Sequence, residues 1–173
     1  MNFYGRRFNI ILTAAAALAL VCGCATGKKE DKQLAALRVH VESSGASGNQ
    51  TITVLRSQPV QVTIGTEPAL TEANIIGARL LETPGGFAME VKFDETGTWI
   101  LEQHSSVNPG KHFAIFGQWG DKLATGRWLA APIISHRNAT GILSFTPDTT
   151  RDEARQLVLG LNNAAKKNAE RNR

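Results

Sequence analysis

Residues 87–116 restrict this chain more than any other stretch, because three consecutive segments each dictate their own geometry. Phe87, Met89, Val91 and Phe93 alternate with Glu90 and Lys92, which places four apolar side chains on one face of a strand. Asp94 follows as a helix N-cap, with a carboxylate able to accept from the free N–H groups of the first turn. Glu95 adds negative charge where the helix dipole favours it. Along the predicted helix Trp99, Ile100, Gln103 and Val107 share a face, while Glu102 and Ser106 point outward. Asn108-Pro109-Gly110 ends that helix. The segment 112–116 is then nearly all apolar, the pattern of a central strand covered on both faces.

The flanks read against this unit. Residues 37–42 alternate apolar and polar and predict a half-buried strand; residues 51–56 alternate again, so the two are expected to form a hairpin with a long loop. Val60, Val62 and Ile64 make a third run, closed by Gly65. Thr71 is a candidate N-cap for a short helical turn, with Asn74 three residues on. Residues 78–82 are extended, and Pro84-Gly85-Gly86 is a turn. Gly120-Asp121 opens a loop, and the apolar run from Trp128 to Ile134 must break or reach an edge after Ala131 because of Pro132. A strand over 142–146 precedes a last helix, where Thr150 and Glu153 form a capping box. There Ala154, Leu157, Val158, Leu161 and Ala165 recur at helical spacing. Gly160 costs that helix about 1 kcal/mol relative to Ala, which implies a close approach to the sheet. Beyond Lys166 the tail is basic and expected to fray. The sum is an α+β fold: two helices packed on a mainly antiparallel sheet, preceded by an N-terminal β segment.

The first residues decide the compartment. Arg6 and Arg7 precede an apolar run of about 12 residues, the layout of an export signal and too short for the ~20 residues of a membrane span. Val21-Cys22-Gly23-Cys24 follows: an aliphatic residue, a small residue and a cysteine in the order of the lipobox of bacterial lipoproteins. That resemblance implies cleavage before Cys24 and a diacylglycerol on its thiol. Ala25 after the cysteine, in place of Asp, points to the outer rather than the inner membrane, with the domain facing the periplasm. The expected segments are therefore a signal (1–23), a lipidated tether (24–36), an N-terminal β segment (37–66), an α+β domain (67–165) and a basic tail (166–173). Both cysteines lie in the lipobox, so no thiol is left for a disulfide or a metal site. The remaining roughly 150 residues are enough to bury a core unaided.

The net charge of +4 does not mark a nucleic-acid binder. Between residues 33 and 165 stand 10 basic and 12 acidic residues; the excess lies at the two ends. A nucleic-acid surface needs clustered cations to displace counterions. No cofactor motif is present. His40 has no partner at metal-ligand spacing. His104, Ser105, Ser106, His112, Asp121 and His136 form no recognisable nucleophile, zinc or phosphate motif. Asn138-Ala139-Thr140 matches a glycosylation sequon but, behind a bacterial lipobox, reads as a turn.

Several phrases resemble, in order, the head of the large periplasmic P1 domain of the SecD/SecDF protein-export family. They are Leu70-Thr71-Glu72-Ala73; Val91-Lys92-Phe93-Asp94-Glu95-Thr96-Gly97; Asn108-Pro109-Gly110-Lys111 running into Phe113-Ala114-Ile115; Ala131-Pro132-Ile133; and Gly141-Ile142-Leu143-Ser144-Phe145-Thr146 before Glu153-Ala154. The resemblance spans residues 70–163 and departs from the family in the longer loop at Gly117-Gln118-Trp119-Gly120-Asp121. It implies a P1-head-like fold and a non-enzymatic role in contact with polypeptide or an envelope assembly. A proton-driven motor is not implied, because nothing after Cys24 approaches ~20 consecutive apolar residues. Trp119, Arg127 and Trp128, on the expected loop 117–127, are the candidate interaction surface, since aromatic and Arg side chains make good interface anchors. The alternative for the tryptophans is burial in the core. The alternatives for the whole chain are an outer-membrane structural or assembly lipoprotein, or a small envelope enzyme.

Overall fold

Alternating and helical periodicities become eight strands and two long helices in a computed structural model that describes residues 33–45 and 49–171. In order they are β1 (Ala36–Val41), β2 (Gln50–Val54), β3 (Val60–Ile64), a 3-10 turn (Glu72–Asn74), β4 (Ile75–Thr83), β5 (Gly86–Phe93), α1 (Glu95–Val107), β6 (Phe113–Trp119), a second 3-10 turn (Asp121–Leu123), β7 (Thr125–Ala130), β8 (Ile142–Phe145) and α2 (Arg151–Arg171). The export signal, Cys24 and most of the tether lie outside the described residues. All named pairings are antiparallel, and they form three sheets rather than one: β1-β6-β7, β2-β3 and β4-β5-β8.

The hairpin expected between the first two strands does not form. β1 pairs with β6, Val39 opposite Ile115, while β2 pairs with β3, Ile52 opposite Val62. Both strands are half-apolar, and alternation specifies a buried face without naming the neighbour. β1, in the expected N-terminal β segment, belongs to the sheet of β6 and β7.

The main core gathers Leu37 and Val39 of β1, Met89, Val91 and Phe93 of β5, Ile115 of β6, Leu129 of β7, Leu143 and Phe145 of β8, Leu101 of α1, and Leu157 and Leu161 of α2. A smaller core forms where Ile52, Val54, Val62 and Ile64 of the β2–β3 hairpin cover Ala114 on the opposite face of β6, with Trp128 and Ala131 against it. β6 is thus covered on both faces, as its apolar run requires.

Three local devices fix the helices. The Asp94 carboxylate accepts from the Gly97 N–H at 2.6 Å and starts α1. Thr150 and Glu153 exchange bonds across the first turn of α2. Gly160 lets α2 press on the chain leading into β1: a Cβ there would stand 2.6 Å from the Ala35 nitrogen and 2.7 Å from the Leu34 carbonyl carbon. The close approach read from the sequence is therefore made to the lead-in of β1.

Two helix expectations are corrected. α1 buries Gly97, Leu101 and Ser105, not the face of Trp99 and Val107, which are 61% and 69% exposed. The reason lies at Gly97, where a Cβ would come within 2.9 Å of Phe93 Cβ and 3.0 Å of Asn74 Cβ. The helix is seated too close for an indole on that side. α2 runs for 21 residues to Arg171, so Lys166, Lys167 and Arg171 stand on a helix rather than on a frayed tail.

Candidate functional site

The proposed surface residues separate in the structure. Trp119 ends β6 with its indole 2% exposed, so it packs in the core and cannot serve as an external anchor. The Arg127 guanidinium lies 5.0 Å from the centre of that ring, donates to the Asp148 carbonyl at 3.3 Å and pairs with Glu153. It is spent on holding the start of α2. Trp128 is half-buried on the opposite face of β7, 5.1 Å from the Phe116 ring and 5.5 Å from the His40 ring. The loop expected over 117–127 is shorter than that, since β6 continues through Trp119 and β7 begins at Thr125.

His40 is buried, and its Nδ1–H donates to the Gly65 carbonyl at 3.2 Å. Burial pushes its pKa down, with the Gly65 bond opposing and Arg38 assisting. The other histidines and serines do not converge. Ser105 donates to the Glu102 carbonyl at 3.0 Å and accepts from the Asn138 N–H at 2.8 Å. His112 Nδ1 bonds the Glu42 carboxylate at 2.6 Å, and His136 Nδ1 the Ser135 hydroxyl at 2.9 Å. Among the described residues no three His, Cys, Asp or Glu side chains gather as metal ligands.

An exposed groove of about 620 Å³ lies between the outer face of α1 and the end of the β4–β5 pair. Trp99, Glu95 and Glu102 line it from the helix, and Ile76 and Lys92 from the sheet. Ile76 is there because the β4–β5 register shifts between Ile75 and Gly77, leaving it as the extra residue of a bulge, 54% exposed. Trp99 is there because Gly97 turns the opposite side of α1 inward. Glu102 is paired with Arg137 across the helix, whereas Lys92 has no ion-pair partner among the described residues. An indole and a branched aliphatic side chain flanked by opposite charges suit a polypeptide better than a small anion or a metal.

Solved structures sharing this architecture come from the export machinery. One, described as "a membrane component SecDF that enhances protein export", superposes with a TM-score of 0.56 at 20% identity, covering 83% of this chain and 71% of the other. A second, a crystal structure of SecDF in a super-membrane-facing form, gives a TM-score of 0.56 at 21% identity over 82% of this chain and 21% of its own. The fold is SecDF-like. No protein-family model matches the chain. No curated protein matches it either. Among the described residues no helix is long and apolar enough to cross a membrane.

Sequence reasoning missed Trp99 and Ile76 as surface residues. The available signal was Gly97, a glycine four residues before Leu101 and eight before Ser105, which marks the close-packed side of α1. For Ile76 the signal was weaker: Ile75-Ile76-Gly77 breaks the alternation of β4, as a bulge requires.

Proposed function

We propose that this chain is a lipid-anchored, non-enzymatic protein of the bacterial envelope that contacts polypeptide, as an accessory to protein export. Cys24 carries the diacylglycerol and holds the domain at the periplasmic face of the outer membrane. One acyl chain binds a bilayer only marginally, and the two of a diacylglycerol hold firmly. The observation that carries the reading is the groove of Trp99, Ile76 and Lys92, which leaves large apolar side chains in solvent. The SecDF-like fold supports a partner from export.

Capture of a reduced, carboxymethylated polypeptide by the full chain in detergent tests it. Trp99→Ala is expected to weaken capture about tenfold or more. Because the indole is solvent-exposed, the unfolding free energy should stay within the roughly ±0.5 kcal/mol typical of surface changes. Unchanged capture would overturn the reading of the groove. Mass spectrometry of the membrane-extracted protein is expected to find diacylglycerol on Cys24 and none in Cys24→Ser; an unmodified thiol would remove the anchor. Partners recovered from solubilised membranes are expected to include export components, and recovery of outer-membrane assemblies alone would refute the export role.

A further inference from the structure

Among the described residues each edge strand except β2 receives at least one hydrogen bond from a neighbouring segment. β1 is capped by the chain at Leu70: the Val39 N–H donates to the Leu70 carbonyl at 2.8 Å, and the Val39 carbonyl accepts from the Ala69 N–H at 2.8 Å. β7 is closed by the Asp148 N–H on the Leu129 carbonyl at 2.7 Å. β8 is bonded at its first residue by Asn138, whose side-chain amide donates to the Ile142 carbonyl at 2.7 Å. β4 is bonded at Ala78 by α2, where the Asn162 side chain takes the Ala78 N–H at 2.8 Å and gives to the Ala78 carbonyl at 3.0 Å. β3 is closed by the Ser43 N–H on the Thr63 carbonyl at 2.8 Å.

That last bond also fixes which groups β2 leaves open. The Thr63 main chain points away from β2, so the pair Thr51–Thr63 is a non-hydrogen-bonded one and the Thr51 N–H and C=O point away from β3. Two residues on, those of Thr53 do the same. None of these four groups has a protein partner among the described residues. The strand Gln50-Thr51-Ile52-Thr53-Val54 carries no charge, no proline and no bulge, the devices that normally blunt an edge. β2 also approaches β7, which carries the half-exposed Trp128.

We infer that β2 is a second binding edge, which takes an extended polypeptide segment by strand addition. The occupant is specified by what is open: two N–H donors and two carbonyl acceptors at strand spacing match the main chain of an extended peptide. Ile52 and Val54 on the buried face, with Trp128 beside them, would receive apolar side chains at alternate positions of the added strand. This site reads main chain, whereas the groove at Trp99 reads side chains. It rests on the proposal that the partner is polypeptide, and it makes that partner unfolded.

Amide hydrogen exchange of the full chain in detergent, with and without a lysine-flanked peptide of alternating Thr and Val, tests it. The peptide is expected to slow exchange at Thr51 and Thr53 by about tenfold or more and to leave Ile76 and Trp99 unchanged. Thr53→Pro removes an outward donor that the β2–β3 ladder does not use, so the fold should survive while peptide affinity falls about tenfold. The same variant is expected to retain capture at the Trp99 groove, and Trp99→Ala to retain protection at β2, so failure of one site is distinct from failure of the other. Should Thr53→Pro unfold the hairpin, Thr51→Lys is the second variant, placing a charge beside the edge. No protection on adding peptide would overturn the inference. So would protection that rises with protein concentration in the absence of peptide, because β2 would then pair with a second copy.

Discussion

Replacing Gly160 by alanine sets two ordinary expectations against each other. Within an α-helix the change should stabilise by about 1 kcal/mol. Here the new Cβ would stand 2.6 Å from the Ala35 nitrogen, 2.7 Å from Ala35 Cβ and 2.7 Å from the Leu34 carbonyl carbon. Normal carbon contacts are about 3.5–4.0 Å, so the overlap approaches 1 Å. Two of the three neighbours are main-chain atoms, which cannot rotate aside. Overpacking of this kind costs about 1–3 kcal/mol, and rigid neighbours put it in the upper part of that range. The net expectation is a destabilisation of about 1–2 kcal/mol. For a urea m-value of about 2 kcal/mol/M the midpoint falls by about 0.5–1 M. Urea titration of the full chain followed by tryptophan fluorescence measures it. Ala35→Gly in the same background should recover only part of the loss, because the contacts with the Ala35 nitrogen and Leu34 carbon persist. A midpoint equal to or above that of the parent would refute the claim that α2 is seated on the lead-in to β1.

Further predictions follow from the other pinned contacts. Asn162→Ala strips both bonds from the Ala78 main chain at the β4 edge and is expected to cost about 1–3 kcal/mol by urea unfolding. Gly141→Ala is expected to cost more stability than an ordinary surface change by urea unfolding, because the residue holds φ +69° and a Cβ there would run into the Thr98 side chain. Burial lowers the His40 pKa from 6.5, so its contribution to stability is complete above that value and lost as pH falls below it. His40→Phe should flatten that part of a plot of melting temperature against pH. A second acid-sensitive step lies below about pH 4.5, where carboxyls bound in the fold must be protonated. The His112 bond holds Glu42 below its usual range, and the Arg56 bond does the same for Asp148. Glu42→Gln should shrink the lower step and leave the His40 step in place.

The sequence was most legible where one residue type has one use. Asp94 before an amphipathic run, Asn108-Pro109-Gly110 after it, and Thr150 with Glu153 all mark helix ends, and α1 and α2 begin and α1 ends there. The apolar face of β5 and the burial of β6 followed from period-two patterning. Strand partners did not, since pairing β1 with β6 joins residues more than seventy positions apart and alternation carries no address. The helix face was misjudged because hydrophobicity was weighed without volume: Trp99 is the largest side chain of α1, yet the space at Gly97 admits none. Arg127 and Trp128 are neighbours in sequence that β7 sends to opposite faces, which is why they do not make one surface. The open edge of β2 was not readable at all, as it depends on where the segments around the hairpin come to lie.

The Asn163 side chain donates to the Gln33 carbonyl at 3.0 Å, and Gly160 abuts Leu34 and Ala35, so the two ends of the domain close on each other. A chain made amino end first has nothing for β1 to lean on until β6 and then α2 have followed. Completion of the domain therefore waits for α2 as far as Gly160 and Asn163. Clipping α2 from the carboxyl end should leave β1 without its clasp, with loss of the native state out of proportion to the number of residues removed.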